Sequence, residues 1–389
     1  MPGGSGAAGL QLLRSTPGVD KARVGLLGIS QGGWIIAMAG AASDDVAFLI
    51  PISASGFSPA IQDRWLNGNI IAHRHLNRAL NGTSERAWRM LLSTRQLVDA
   101  GLLPAMPDVP GFWFHALDPG LDAGRLWGAV RQPLLGVWGE LDCQVPAYDS
   151  LARVQAALEG GQRPSYTLTV LRGADHSMSL VAPCAQETSG WSVLRFDYPP
   201  DYFAMLADWV HAHDTPAPVA RVVLPEQPTP SSLGWHQAPT DGAGIVGSFV
   251  PQMLVLLGLL GAFALLSAAS LVRTLVAAAR RRSVRPTALG VAAGLGLLAM
   301  LLGVASLVEL LLLGSPDGGL LVGGPIAGLT PTFALASAAT LGTLVSGAAG
   351  LRGALAAGGP RVAISALTLI LFAAWAAHWS FVPLWVAFG

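Results

Sequence analysis

The chain has 389 residues, 52% of them hydrophobic, with 23 basic and 23 acidic side chains and 47 glycines. A formal net charge of zero, with Lys21 the only lysine, excludes the basic footprint that nucleic-acid binding requires. Charged residues thin out after about residue 240, so a mixed N-terminal part is followed by an apolar one.

The N-terminal stretch is glycine-rich and carries one short helix pattern near Gly9 to Arg14. Apolar Val24 to Leu27 then read as a buried parallel strand, and Trp34 to Ala42 as a helix ending near Ser43-Asp44-Asp45. Between them lies Gly28-Ile29-Ser30-Gln31-Gly32-Gly33, the layout of a nucleophile elbow. A serine at such a strand-to-helix turn takes strained backbone angles, and glycine at 28 and 32 removes Cβ atoms that would clash there. Glycine abundance alone would yield roughly 0.4 copies of Gly-x-Ser-x-Gly by chance. The flanking strand and helix therefore carry the reading, and its plain alternative is a serine that caps the helix.

Residues of about 57–127 form an insertion with the character of a lid, in which tryptophans and leucines would line an acyl pocket. Its His73, His75 and His115 read as solvated or packing residues. Pro133 to Gly139 is a second short apolar strand, with Glu140-Leu141-Asp142 just past its end, and Tyr166 to Leu171 is a third, followed by Gly173-Ala174-Asp175-His176. In parallel α/β sheets chemistry collects beyond the carboxyl ends of the strands, where Ser30, Asp142 and His176 all fall. Glu140 is the competing acid, and Asp175 is expected to shape the turn.

These residues together, with Thr16-Pro17-Gly18-Val19-Asp20 before the elbow strand and Gly139-Glu140-Leu141-Asp142-Cys143-Gln144-Val145-Pro146, resemble the C-terminal half of an α/β-hydrolase over about residues 10–214. The style is that of the dienelactone-hydrolase and serine-peptidase-like branch. The resemblance implies a partial, mostly parallel sheet with Ser30 as nucleophile, His176 as general base and later acid, and Asp142 orienting His176. The backbone N–H of Gln31 would be one oxyanion donor, between the elbow glycines Gly28 and Gly32. It also makes the loops of Cys143 and Cys184, the only two cysteines, neighbours. In an oxidising compartment they could form a disulfide, the alternative being two unlinked thiols. No cofactor and no metal is implied.

A proline-rich stretch, 215–244, reads as a semi-extended linker after a last amphipathic helix that includes Trp209. Beyond it, four apolar stretches of about 247–272, 288–313, 325–351 and 362–385 are each long enough to cross a bilayer, making a four-helix transmembrane bundle over 245–389. Small residues in the third suit close helix contact. Arg273, Arg280, Arg281, Arg282 and Arg285 follow the first span, and Arg352 and Arg361 follow the third, so the positive-inside rule makes these loops cytoplasmic. The N-terminal domain, 1–214, then lies on the exoplasmic side of the cell membrane. Trp375, Trp379 and Trp385 are expected in an outer aromatic belt, and Glu309, a turn from the outer end of its span, is expected to snorkel toward water.

Two function classes follow. One is a membrane-anchored serine hydrolase acting on a small-molecule or peptide ester, thioester or amide. The other is a catalytically weak hydrolase-like membrane protein with a binding role. With so few strands before the elbow and no loop for a second oxyanion donor, the chain is expected to be a portion of a longer protein and to hydrolyse poorly, on an incomplete sheet of about four strands with the elbow strand at an open edge. The sequence leaves the oligomeric state open.

Overall fold

A computed structural model describes residues 3–99, 101, 121–162, 165–182, 184, 197–212, 221–225, 244–283, 285–311, 328–355 and 359–382. The chain forms two compact units, residues 1–74 with 105–241, and residues 75–104 with 242–389. The insertion expected over 57–127 is thus divided between them, while its segment 102–120, with His115, lies outside the described residues.

The first unit is built on five strands: β1 (Leu26–Ile29), β2 (Leu49–Ile52), β3 (Leu134–Gly139), β4 (Tyr166–Leu171) and β5 (Arg221–Val223), in the order β1-β2-β3-β4-β5. All four pairings are parallel. The sheet therefore has one strand more than the four or so expected: besides the three runs read as strands it contains β2, and β5, which falls inside the proline-rich stretch and pairs with β4 through Thr167 to Thr169. Parallel strands need crossovers, and these run through α2 (Gln31–Ala42), α3 (Pro59–His73), α5 (Ala123–Gly128), α6 (Ala147–Gly160) and α7 (Tyr202–Ala212), with α1 (Gly3–Ser15) and α4 (Arg78–Asp99) completing this part of the chain.

Strand alternation assigns the two faces. Leu49, Leu134, Trp138, Leu168 and Val170 pack with Trp34, Trp127, Leu151 and Val154, whereas Ile50, Ile52, Leu135 and Val137 meet Tyr202, Met205, Leu206 and Trp209 of α7. Burying each such side chain stabilises by about 1.5–3 kcal/mol. β1 is an end strand, and its Leu27 and Ile29 are 53% and 54% exposed, so the second face is left uncovered at that edge.

The second unit contains α4, α8 (Gly244–Gly247), α9 (Phe249–Ala279), α10 (Ala288–Leu311), α11 (Pro331–Ala354) and α12 (Pro360–His378). Three of them, α9, α10 and α11, are long and apolar enough to cross a membrane. The expected fourth span differs: the apolar stretch of α12, Val362–His378, is shorter, and the helix ends at His378 while residues 383–389 lie outside the description. α10 and α11 approach closely because small residues line the contact: a Cβ on Gly350 would lie 2.8 Å from the Leu289 backbone nitrogen.

Polar α4 docks on helix ends of this unit. Thr83 Oγ1 donates to the Trp379 carbonyl at 3.0 Å, Arg86 Nη2 to Ser380 Oγ at 2.6 Å, and Ser93 Oγ accepts from the Phe249 N–H at 2.8 Å. The aromatic belt is corrected here. Trp375 and Trp379 are buried within the unit, Trp375 against Phe372 and Phe381, while Trp379 Nε1 donates to Gln252 Oε1 at 3.0 Å; Trp385 lies outside the described residues. Glu309 does not snorkel either, for it is 4% exposed and meets Thr332.

Candidate functional site

Ser30 stands between β1 and α2 with φ 56° and ψ −120°, a conformation costly for a residue with a Cβ. Its side chain makes no capping bond to α2, so the plain alternative of a helix cap has no support in the geometry. Its backbone N–H donates to the Ile52 carbonyl at 2.8 Å, which ties the turn to the end of β2. The glycines divide their work differently from the sequence expectation. A Cβ on Gly28 would lie 2.3 Å from the Gly32 carbonyl oxygen, whereas a Cβ on Gly32 would meet open space. Gly33 is the second constrained position, since its Cβ would fall 2.3 Å from Ala54 Cβ. Gln31 is the first residue of α2, so its backbone N–H belongs to the helix's free N-terminal donors.

Asp142, 1% exposed, follows β3. Its Oδ2 pairs with His176 Nδ1 at 2.9 Å, and its Oδ1 accepts the N–H groups of Gln144 and Val145, both at 2.8 Å. A carboxylate on Nδ1 fixes the proton there and leaves Nε2 as the basic nitrogen. Glu140, the competing acid, is engaged elsewhere: Oε2 accepts from the Gly173 N–H at 2.9 Å and Oε1 from the Tyr148 hydroxyl at 3.4 Å. Burial, then the charge and hydrogen bond of Glu140, push the Tyr148 hydroxyl up to about 12. Asp175 builds the histidine turn, its Oδ1 accepting the N–H groups of Ser177 at 2.9 Å and Ser179 at 2.8 Å. Burial raises its carboxyl, opposed by those two hydrogen bonds.

Two further residues hold this arrangement. Ser53, fully buried after β2 with φ 48°, donates from Oγ to the His176 carbonyl at 2.8 Å. Gly139 admits the histidine turn, because a Cβ there would lie 2.1 Å from the Asp175 carbonyl oxygen. Consecutive residues of one strand end, Ile52 and Ser53, thus bond to Ser30 and to His176. No local sequence signal marks Ser53, and the motif that contains Gly139 does not show why a Cβ is excluded there, since both act through contacts with distant loops.

Cys143 and Cys184 form a disulfide with a Cα separation of 5.4 Å, fastening the acid loop to a segment beyond the histidine. Trp65 packs on it, and Asn69 Nδ2 donates to the Cys143 carbonyl at 3.3 Å. His73 adjoins this pair, with the three potential ligand atoms within 4.8 Å of one another. Thiolates are the sulfur form that binds metals, and sulfurs joined to each other do not supply it. His75 stands beyond α3 with φ 52°.

No protein-family model matches the chain, and no curated protein matches it.

Proposed function

We propose that the chain is a membrane-anchored serine hydrolase of the α/β-hydrolase kind that cleaves an ester, thioester or amide through an acyl-enzyme on Ser30. The observation that carries this reading is the buried Asp142–His176 pair at 2.9 Å, on the strand end next to the one that bonds the strained Ser30 turn. In the proposed reaction Ser30 Oγ attacks the acyl carbon while its proton passes to His176 Nε2. The tetrahedral oxyanion is met by the Gln31 N–H, and the leaving group departs with the proton from Nε2. Water then adds to the acyl carbon, His176 takes its proton, and collapse returns that proton to Ser30 as the acid leaves. Asp142 keeps its charge throughout and holds the imidazolium in place.

The arginines after α9 and α11 support a cytoplasmic position for those loops, hence an exoplasmic position for the sheet unit, and the disulfide suits an oxidising compartment. A second reading, a binding module without turnover, is favoured by the half-exposed Leu27 and Ile29 on the strand that carries Ser30.

The test is activity-based labelling of the full chain in native membranes with a fluorophosphonate. Wild type is expected to label on Ser30, Ser30→Ala not at all, and His176→Ala far more slowly. A folded, membrane-inserted wild type that resists a panel of such probes and hydrolyses no acyl substrate would establish the binding reading instead.

A further inference from the structure

The second unit buries a carboxylate whose charge none of its described residues balances. Glu309 lies in the last turn of α10, 4% exposed, and Oε2 accepts a hydrogen bond from the Thr332 hydroxyl. Oε1 is buried and has no partner among the described residues, and no described basic side chain makes an ion pair with Glu309. A solitary buried charge is costly unless it is paired. Thr332 stands at the start of α11, behind the N-cap Thr330, whose hydroxyl lies 3.3 Å from that of Thr332. The positive end of the α11 dipole and the negative end of the α10 dipole are each worth roughly half a charge. Meeting at one place they offset each other, which leaves the single negative charge of the carboxylate standing.

We propose that Glu309 Oε1, with the hydroxyl oxygens of Thr330 and Thr332, binds a monovalent alkali cation. One carboxylate and two hydroxyls are hard oxygen ligands, and their net charge of one matches a monovalent ion, whereas calcium sites gather six to eight oxygens with several carboxylates among them. The ammonium of a lipid headgroup is too bulky for a carboxylate that is 4% exposed. A small ion that sheds its water suits the burial.

The experiment uses the full chain in phosphatidylcholine nanodiscs, with thermal unfolding followed in sodium, potassium or choline chloride at equal ionic strength. The expected result is a saturable rise in melting temperature in sodium or potassium over choline, about 5 °C at a hundredfold excess over the dissociation constant. Comparing the two salts identifies the preferred ion. Glu309→Gln keeps an acceptor for Thr332 but removes the charge, and should abolish the rise. Should that variant fail to fold, wild type alone suffices: dicyclohexylcarbodiimide modification of Glu309, read by peptide mass, is expected to slow as the preferred cation is added. Equal melting in all three salts, a salt-specific rise that survives in Glu309→Gln, or labelling that responds to pH and to neither cation would each overturn the proposal, the last by making a proton the occupant.

Discussion

The strand ends of the sheet unit and the packed helices of the other treat their buried carboxylates in opposite ways. At the strand ends, Asp142 has partners on both oxygens, Asp175 Oδ1 receives two backbone N–H groups, and Glu140 is bonded on both oxygens. Among the apolar helices, Glu309 Oε1, Ser337 Oγ and Thr340 Oγ1 are buried without a partner among the described residues. The difference lies in the backbone. Loops beyond parallel strands have N–H groups to spare, and helices consume theirs internally. A carboxylate placed on a loop is therefore satisfied locally, while one placed on a packed helix must find a side chain or a ligand. Satisfied groups at the strand ends are held in place by several hydrogen bonds, as the proposed chemistry requires; an orphaned carboxylate in the bundle is where an added ligand gains most.

The largest effect that could break this contrast is at the acid. Asp142→Asn keeps the shape but lets an amide donate toward His176, which favours the wrong tautomer, and a fall of about 10⁴ in turnover is expected. The fluorophosphonate labelling rate of the full chain measures it, with the melting temperature as a check on folding. A loss below about tenfold would make the Asp142–His176 pair a structural brace, and the satisfied carboxylates of the strand ends would lose their proposed link to chemistry.

Much of this was legible in the sequence for a physical reason. Short apolar runs ending in Gly28 and Gly139 specify buried parallel strands, and the polar residues just beyond them had only the carboxyl edge of the sheet to occupy. β5 was not legible, because three residues among prolines carry no periodicity. The burial of Trp375, Trp379 and Glu309 was not legible either. Within an apolar helix the faces that meet lipid and protein have the same composition, so sequence cannot say which way a side chain turns. Gly33 and Gly139 stood in the motifs, but the steric reason for each was not legible, because the need for a missing Cβ is set by Ala54 and Asp175, residues far along the chain.

Asp63 on α3 sharpens the comparison as the exception within the sheet unit, since burial pushes its carboxyl up to about 8. The unfolded chain loses this proton near 3.9, an ordinary aspartate value, and the folded protein holds it until about 8. Between those values only the unfolded state has released it, so stability from this group falls as pH rises and the penalty is complete above about 8. Asp63→Asn should match wild type near pH 4 and become progressively more stable than it toward pH 9, read from melts of the full chain across that range. A constant offset between the two proteins at every pH would show a carboxyl that titrates normally, and Asp63 would then carry no burial penalty.

The smallest effects test the contrast most directly, through hydroxyls. Ser53 Oγ has a defined partner in the His176 carbonyl, and removing it leaves a buried oxygen without its donor. Ser53→Ala should therefore cost about 0.5–1.5 kcal/mol and lower turnover modestly by loosening the histidine turn. Ser337 and Thr340 on α11 are also buried but have no partner among the described residues, so deleting their hydroxyls forfeits no hydrogen bond seen there and relieves desolvation. Ser337→Ala and Thr340→Val should leave stability unchanged or raise it slightly, measured by thermal unfolding of the full chain in nanodiscs. If either costs as much as Ser53→Ala, those two hydroxyls are satisfied as well as that of Ser53 is. The unpaired oxygen of Glu309 would then stand as an isolated feature, with its cause in the α10–α11 contact itself and not in a general shortage of donors among packed helices.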